Sequence, residues 1–133
     1  VESGDPGQAD GIAIYLDVPH DRRGYSRLGI DLAGKVYAVR CDEAPGGSAK
    51  AWESGAAAAV VTSASNYVVE VSIPRSALGA PDGDLSFYDW GVLVGRVQTG
   101  AAWTNERLSS TSRLLRGAFE QPLYFNTMRF TER

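Results

Sequence analysis

Apolar and polar residues alternate with a period of two along much of this 133-residue chain. The alternation is clearest in YVVEVSI (67–73) and recurs in GIAIYLDV (11–18). Successive side chains of a strand point to opposite faces, so this period predicts strands with one buried face. Pro74 has no N–H for a strand ladder, and it therefore ends the 67–73 strand. The residues up to Gly79 predict one short helical turn.

Five further segments carry strand patterns or β-branched and aromatic enrichment: 26–32, 35–41, 56–63, 87–98 and 123–130. The first two predict a hairpin around a two-residue turn, Ala33-Gly34. Residues 42–55 and 99–122 are predicted as connections, the second with one helical turn around 113–116. Seven strands with almost no helix predict an all-β fold, a mainly antiparallel β-sandwich of the jelly-roll type.

The alternation also predicts which side chains face the core. In 11–18 the aliphatic face carries Ile12, Ile14 and Leu16, and Tyr15 lies on the opposite face. Tyr37 is likewise opposite the aliphatic side chains of its strand. Two outcomes remain open for these tyrosines: they are exposed, or they are packed inside because the assignment of the buried face is inverted.

Length and composition limit the class of protein. The length fits one domain spanning 1–133, and the absence of an initiator Met predicts a processed or excised piece. The net charge of −3 and the presence of only two lysines argue against a nucleic-acid surface. Cys41 is the only cysteine, which excludes an internal disulfide and a cysteine-based zinc site. No apolar run approaches the roughly 20 residues of a membrane span.

Three motifs in order carry a family resemblance. They are DPGQADGIAIYLD (5–17), VEVSIPRSALG (69–79) and DWGVLVGRV (89–97), the last followed by AAWTNE (101–106). Together they resemble the family 9 carbohydrate-binding module and its DOMON-like relatives, which are β-sandwiches. The resemblance covers nearly the whole chain. It implies a secreted or extracytoplasmic, non-catalytic accessory domain that binds a poly- or oligosaccharide.

The same resemblance implies a missing part and an altered site. Domains of this family carry further strands before the first motif, so the chain is expected to be a fragment, or to be completed by another protein segment. An unpartnered sandwich half would expose apolar faces and open edges. Gly7 stands where sugar-binding members carry a tryptophan, which argues against the family's usual sugar site.

Sugar recognition requires flat aromatic rings against the apolar faces of pyranose rings, with polar groups for the hydroxyls. The aromatic candidates are Trp52, Trp103 and Phe119, whereas Trp90 matches a framework position and is expected in the core. The polar candidates are Arg22, Arg96 and Glu70. Two outcomes are open for Glu70 and Arg96: they pair across the sheet if their strands are neighbours, or they are two independent solvent-facing charges.

Metal and haem sites are weaker possibilities. The turn aspartates Asp5, Asp10, Asp82 and Asp84 supply the oxygen ligands that calcium prefers, although turn aspartates usually cap backbone amides. Some DOMON-like proteins bind haem, and His20 with Met128 would be the axial pair. No nucleophile motif accompanies His20, so no enzyme activity is predicted.

Three function classes therefore remain open. The first is a carbohydrate-binding domain, the second a structural or protein-interaction domain of the same fold without a sugar site. The third is a haem-binding electron-transfer domain, which rests on fold analogy alone.

Overall fold

The computed structural model describes residues 10–44, 47–80, 88–97, 108–110 and 122–130. Within these ranges it contains nine strands and two short 3-10 turns, Arg75–Leu78 and Pro122–Tyr124. The strands are β1 (Gly11–Asp17), β2 (Tyr25–Asp31), β3 (Val36–Cys41), β4 (Lys50–Ala51), β5 (Ala57–Thr62), β6 (Tyr67–Ser72), β7 (Asp89–Val97), β8 (Leu108–Ser110) and β9 (Asn126–Arg129). No helix among these residues has the length and apolar character needed to cross a membrane.

The strands form two sheets. The main sheet has the order β4-β3-β2-β1-β7-β8, and β9 pairs with the first half of β7. The second sheet consists of β5 and β6, and the strand pairs of both sheets are antiparallel. The predicted fold class, an all-β, mainly antiparallel sandwich, is confirmed. Two short strands, β4 and β8, lie in segments predicted as connections. The helical turn predicted around 113–116 lies outside the described residues.

The β2–β3 hairpin forms as predicted, but its loop is longer by one residue. The Gly34 N–H donates to the Asp31 carbonyl at 3.0 Å, and the Asp31 N–H donates to the Lys35 carbonyl at 3.1 Å. Gly34 has a φ of 83°, so the loop is a three-residue turn that ends in a left-handed glycine. The Asp31 carboxylate accepts the N–H groups of Ala33 and Lys35, each at 2.9 Å, and closes the turn.

Both faces of β1 are buried, which the alternation did not predict. Leu16 is 5% exposed on the aliphatic face, and Tyr15 is only 1% exposed on the opposite face. On that opposite face Tyr15 packs with Tyr25, Leu93 and Phe125. Its ring meets that of Tyr25 edge-on, with centroids 5.1 Å apart. The central strand of the sheet thus separates two apolar clusters. Tyr15 is therefore packed inside, but the buried face is not simply inverted, because Leu16 on the aliphatic face is buried as well.

The cluster on the Leu16 face joins the two layers of the sandwich. Leu16 and Trp90 of the main sheet pack there with Leu78 of the 3-10 turn and with Ile73, which follows β6. Trp90 is 5% exposed, so its predicted place in the core is confirmed. Pro74 and the left-handed Gly79 bracket the 3-10 turn as predicted, and the turn carries Leu78 into this cluster.

Candidate functional site

The larger candidate site is a cleft of about 550 Å³ at one end of the main sheet. It lies where β1 and β3 end and where β2 and β7 begin, because neighbouring strands run antiparallel. The residues that define it are Asp17, Tyr25, Arg40, Asp42, Tyr88 and Asp89, with Leu78 and Gly79 of the 3-10 turn on one side. We name it the Tyr88 cleft.

Among the described residues that line the Tyr88 cleft, Arg40 is the one cation, and three contacts fix its guanidinium group. Its Nε donates to the Ser26 hydroxyl at 3.1 Å, and its Nη2 donates to the Ala77 carbonyl at 2.9 Å. The guanidinium carbon lies 4.7 Å from the centre of the Trp52 ring, which is cation–π distance. Arg40 forms no ion pair within the described part of the chain. A guanidinium has five N–H donors, so donors remain for a ligand in the cleft.

Asp17 organises the loop that borders the cleft. Its carboxylate is 2% exposed and accepts the Arg22 N–H at 2.8 Å and the Asp21 N–H at 3.4 Å. Within this loop His20 has a φ of 54° and Arg22 a φ of 61°. Left-handed backbone costs a residue other than glycine about 1–2 kcal/mol. Such strain persists only where the surroundings impose it, and it concentrates at functional sites.

Two tyrosines and an ion pair complete the cleft. The Tyr88 side chain is 45% exposed, and Tyr25 is held beneath by its edge contact with Tyr15. The Asp89 carboxylate accepts two hydrogen bonds from the Arg129 guanidinium, both at 2.8 Å. This bidentate pair lowers the pKa of Asp89 below its usual 3.8, chiefly through the hydrogen bond from Arg129.

These groups suit the recognition of a hydroxylated ligand. Carboxylate oxygens accept hydrogen bonds from hydroxyl groups, and the Arg40 guanidinium donates to them. The exposed Tyr88 ring offers a flat apolar surface to C–H groups. The cleft volume also falls in the usual range for small-ligand sites, roughly 300–1,000 Å³.

A second, smaller recess of about 260 Å³ lies at the opposite end of β1. It gathers Asp10 and Arg96 with residues of the β5–β6 turn and with Tyr67. The sequence analysis predicted Asp10 as a calcium ligand and Arg96 as a sugar-binding residue. In the structure both residues line this one recess. We name it the Asp10–Arg96 recess.

Of the predicted aromatic candidates, only Trp52 is described. It packs at the edge of the Leu16 cluster, and the Arg40 guanidinium covers one face of its ring. Trp52 therefore helps to orient Arg40, a residue of the cleft. Trp103 and Phe119 lie outside the described residues, as do Asp5, Asp82 and Asp84.

The structure separates the predicted polar candidates. Arg22 lies in the loop beside the Tyr88 cleft, and its Nη1 donates to the Leu123 carbonyl at 2.8 Å. Glu70 is exposed on β6, opposite Ala59 of the second sheet. Arg96 lies on β7 of the main sheet, opposite Ile12. The strands of Glu70 and Arg96 belong to different sheets, so of the two outcomes the cross-strand pair does not form, and both side chains are exposed.

The two residues proposed as haem ligands face different ways. Met128 packs into the Leu16 cluster, and the neighbouring Thr127 lies on the other face of β9. The His20 Nε2 lies 3.5 Å from the Thr127 hydroxyl. His20 and Met128 are therefore on opposite faces of the strand. No group of three metal-ligating side chains occurs in the part of the chain that the structure describes.

Sequence reasoning missed the residues that shape the cleft. Arg40 alternates with apolar neighbours in KVYAVRC, which is also the pattern of a solvent-facing charge. Asp17 offered a usable signal, because it ends a strand directly before the turn-rich segment VPHDRRG, where aspartates commonly accept backbone N–H groups. Tyr88 offered none beyond its position at the start of a strand.

Comparisons with models of protein families, with curated proteins and with solved structures found no match to this chain.

Proposed function

We propose that this chain is a non-catalytic carbohydrate-binding domain that holds a poly- or oligosaccharide in the Tyr88 cleft. The observation that carries the proposal is the convergence of an exposed tyrosine ring, a fixed guanidinium and several carboxylates in one cleft of about 550 Å³. The family resemblance in the three sequence motifs supports the same ligand class and a secreted location.

Each group has a defined part in binding. One sugar ring stacks on Tyr88, whose exposed fraction of 45% leaves its ring accessible. Arg40 donates to ring hydroxyls, and because Trp52, Ser26 and Ala77 already fix it, little side-chain entropy is lost on binding. Asp42, exposed at the cleft wall, accepts from a further hydroxyl. The site binds without bond-breaking chemistry.

Affinity electrophoresis of the purified chain tests this function. The probes are soluble xylan, glucan, mannan, galactan and pectin, each run with calcium and with a chelator. We expect retarded migration in at least one neutral or acidic polysaccharide. Tyr88→Ala should weaken that interaction about tenfold, because an aromatic anchor contributes more than about 1 kcal/mol to a binding site.

Tyr37→Ala is the matched control. Tyr37 is a half-buried tyrosine of β3 outside the cleft, where its ring contacts the Lys35 ammonium at 4.7 Å. This variant should migrate as the unaltered chain does. Unretarded migration in all five polysaccharides contradicts the carbohydrate proposal. Equal weakening by both variants contradicts the assignment of binding to the Tyr88 cleft.

A specific surface feature favours a second candidate, a protein-interaction domain completed by another protein segment. The second sheet has two strands within the described chain, whereas the main sheet has seven. On the outer face of the small sheet Val61 and Val68 pair across the strands, with exposed fractions of 71% and 59%. Contiguous exposed apolar surface of this kind is what a partner segment would cover.

Sedimentation analysis tests the second candidate. Two lysines on this face would prevent an apolar partner segment from packing there. The double substitution V61K/V68K should therefore remove any self-association of the chain. It should leave polysaccharide retardation intact. A chain that is monomeric before and after the substitution argues against a second copy as the partner.

A further inference from the structure

The Asp10–Arg96 recess lies between the two layers at the far end of the sandwich. Arg96 stands opposite Ile12 on the face of the main sheet that meets the second sheet. The Tyr67 hydroxyl of the second sheet donates to the Gly11 carbonyl at 3.5 Å and links the layers at this point. Tyr67 also lines the recess, so one contact joins the layers and forms part of the wall.

The β5–β6 turn forms the polar side of the recess. The Ser63 hydroxyl donates to the Asn66 Oδ1 at 2.6 Å and accepts the Asn66 N–H at 3.1 Å. The Ser63 N–H also donates to the Asn66 carbonyl at 2.8 Å. These internal hydrogen bonds fix the turn before any ligand binds. The fixed turn presents an amide and hydroxyl groups to the recess.

We propose that the Asp10–Arg96 recess is a second binding site, which takes a single hydroxylated sugar ring. The residues that line it include both donors and acceptors: a guanidinium, a carboxylate, an amide and the hydroxyls of Thr62 and Ser65. A sugar hydroxyl both donates and accepts, so a polyhydroxylated ring satisfies such a mixture better than an anion, which Asp10 would repel. The volume of about 260 Å³ is below the usual range for drug-sized ligands and limits the occupant to about one ring.

The consequence is a domain with two sites. The recess and the Tyr88 cleft lie at opposite ends of β1, which spans seven residues, so they are about 20 Å apart. Two sites on one rigid sheet join two glycan chains, or hold one long chain at two points with a gain in avidity. This consequence rests on the proposed function, whereas the recess itself is argued from its own residues.

Amide and side-chain NMR spectra of the labelled chain test the recess separately from the cleft. The probes are glucose, galactose, mannose and xylose at millimolar concentration. We expect at least one sugar to shift the resonances of Asn66, Tyr67 and Arg96 with a saturable dependence. Arg96→Met should weaken this binding roughly tenfold or more, because a hydrogen bond to a charged donor is lost. Tyr88→Ala should leave it unchanged.

Ser65→Tyr provides a second variant that is independent of Arg96. Ser65 is exposed on the turn, so a large side chain there fills the recess without entering the core. This variant should lose sugar binding at the recess and keep polysaccharide retardation at the cleft. Absence of saturable shifts at the recess with all four sugars, or equal shifts in S65Y, overturns the second site. If the unaltered chain showed saturable shifts at the recess but no retardation by any polysaccharide, the result would instead contradict binding at the Tyr88 cleft.

Discussion

The removal of the Asp17 carboxylate is the most informative perturbation of the cleft loop. Asp17→Ala deletes the acceptor of the Arg22 N–H, a bond of 2.8 Å to an ionised group that contributes about 1.5–3 kcal/mol. The 3.4 Å bond from the Asp21 N–H adds little at that length. Removing a carboxylate that is 2% exposed also relieves some desolvation cost, so we expect a net loss of about 2 kcal/mol.

Thermal unfolding followed by circular dichroism measures that loss. For a domain of this size about 2 kcal/mol corresponds to a fall in Tm of roughly 6–10 °C. Asp17→Ala removes the hydrogen bond that holds the Arg22 backbone at its φ of 61°, so the loop should relax toward ordinary backbone angles. Polysaccharide affinity should then fall with stability, because the loop borders the Tyr88 cleft.

Asp31→Ala is the matched control for this loop. Asp31 also accepts two backbone N–H groups, but at the β2–β3 turn, which is at the other end of the sandwich. It should lower the Tm and leave polysaccharide retardation unchanged. An unaltered Tm in Asp17→Ala would refute the role given to this carboxylate, and a loss of retardation in both variants would show that instability alone removes binding.

Three further predictions concern the core and the sheet edge. Leu93→Ala removes a fully buried side chain and should cost about 2–5 kcal/mol in urea unfolding, with an unchanged m-value. Gly91→Ala places a Cβ 3.0 Å from the Asp17 Cβ, and it should lower the Tm because neither backbone can easily shift. The pKa of Asp89 is lowered in the folded state, so the ion pair with Arg129 stabilises the fold at pH values above the usual carboxyl pKa of 3.8. This contribution is lost as the pH falls through the lower folded-state pKa of Asp89. Arg129→Gln should return the NMR-detected pKa of Asp89 towards 3.8.

Much of the fold was predictable because period-two alternation records which side of a strand is buried. Tyr67, Val69, Val71 and Ile73 are half-buried, while Val68 and Glu70 are exposed, as the pattern in 67–73 predicts. The pattern was insufficient for β1, where Tyr15 is 1% exposed whereas Ile12 and Ile14 on the aliphatic face are only half-buried. Burial of a second face depends on what covers the sheet, which a single strand does not encode.

The short strands and the cleft could not be predicted for a related reason. Lys50 and Ala51 become a strand only because they pair with Arg40 and Val39, since nothing in their own sequence favours a strand. The contacts that fix Arg40 come from Ser26 and Ala77, 14 and 37 residues away in the chain. Side chains brought together over such distances carry no spacing signal.

Chemical-shift mapping of the labelled chain with the polysaccharide that retards it most would test the central claim directly. If the polysaccharide binds in the Tyr88 cleft, the largest chemical-shift changes should occur at Tyr88, Gly79 and Asp42. The Arg40 side-chain resonance should also shift, and the resonances of the outer face of β5–β6 should stay unchanged. Changes confined to Val61, Val68 and their neighbours, with Tyr88 and Arg40 unaltered, would contradict it.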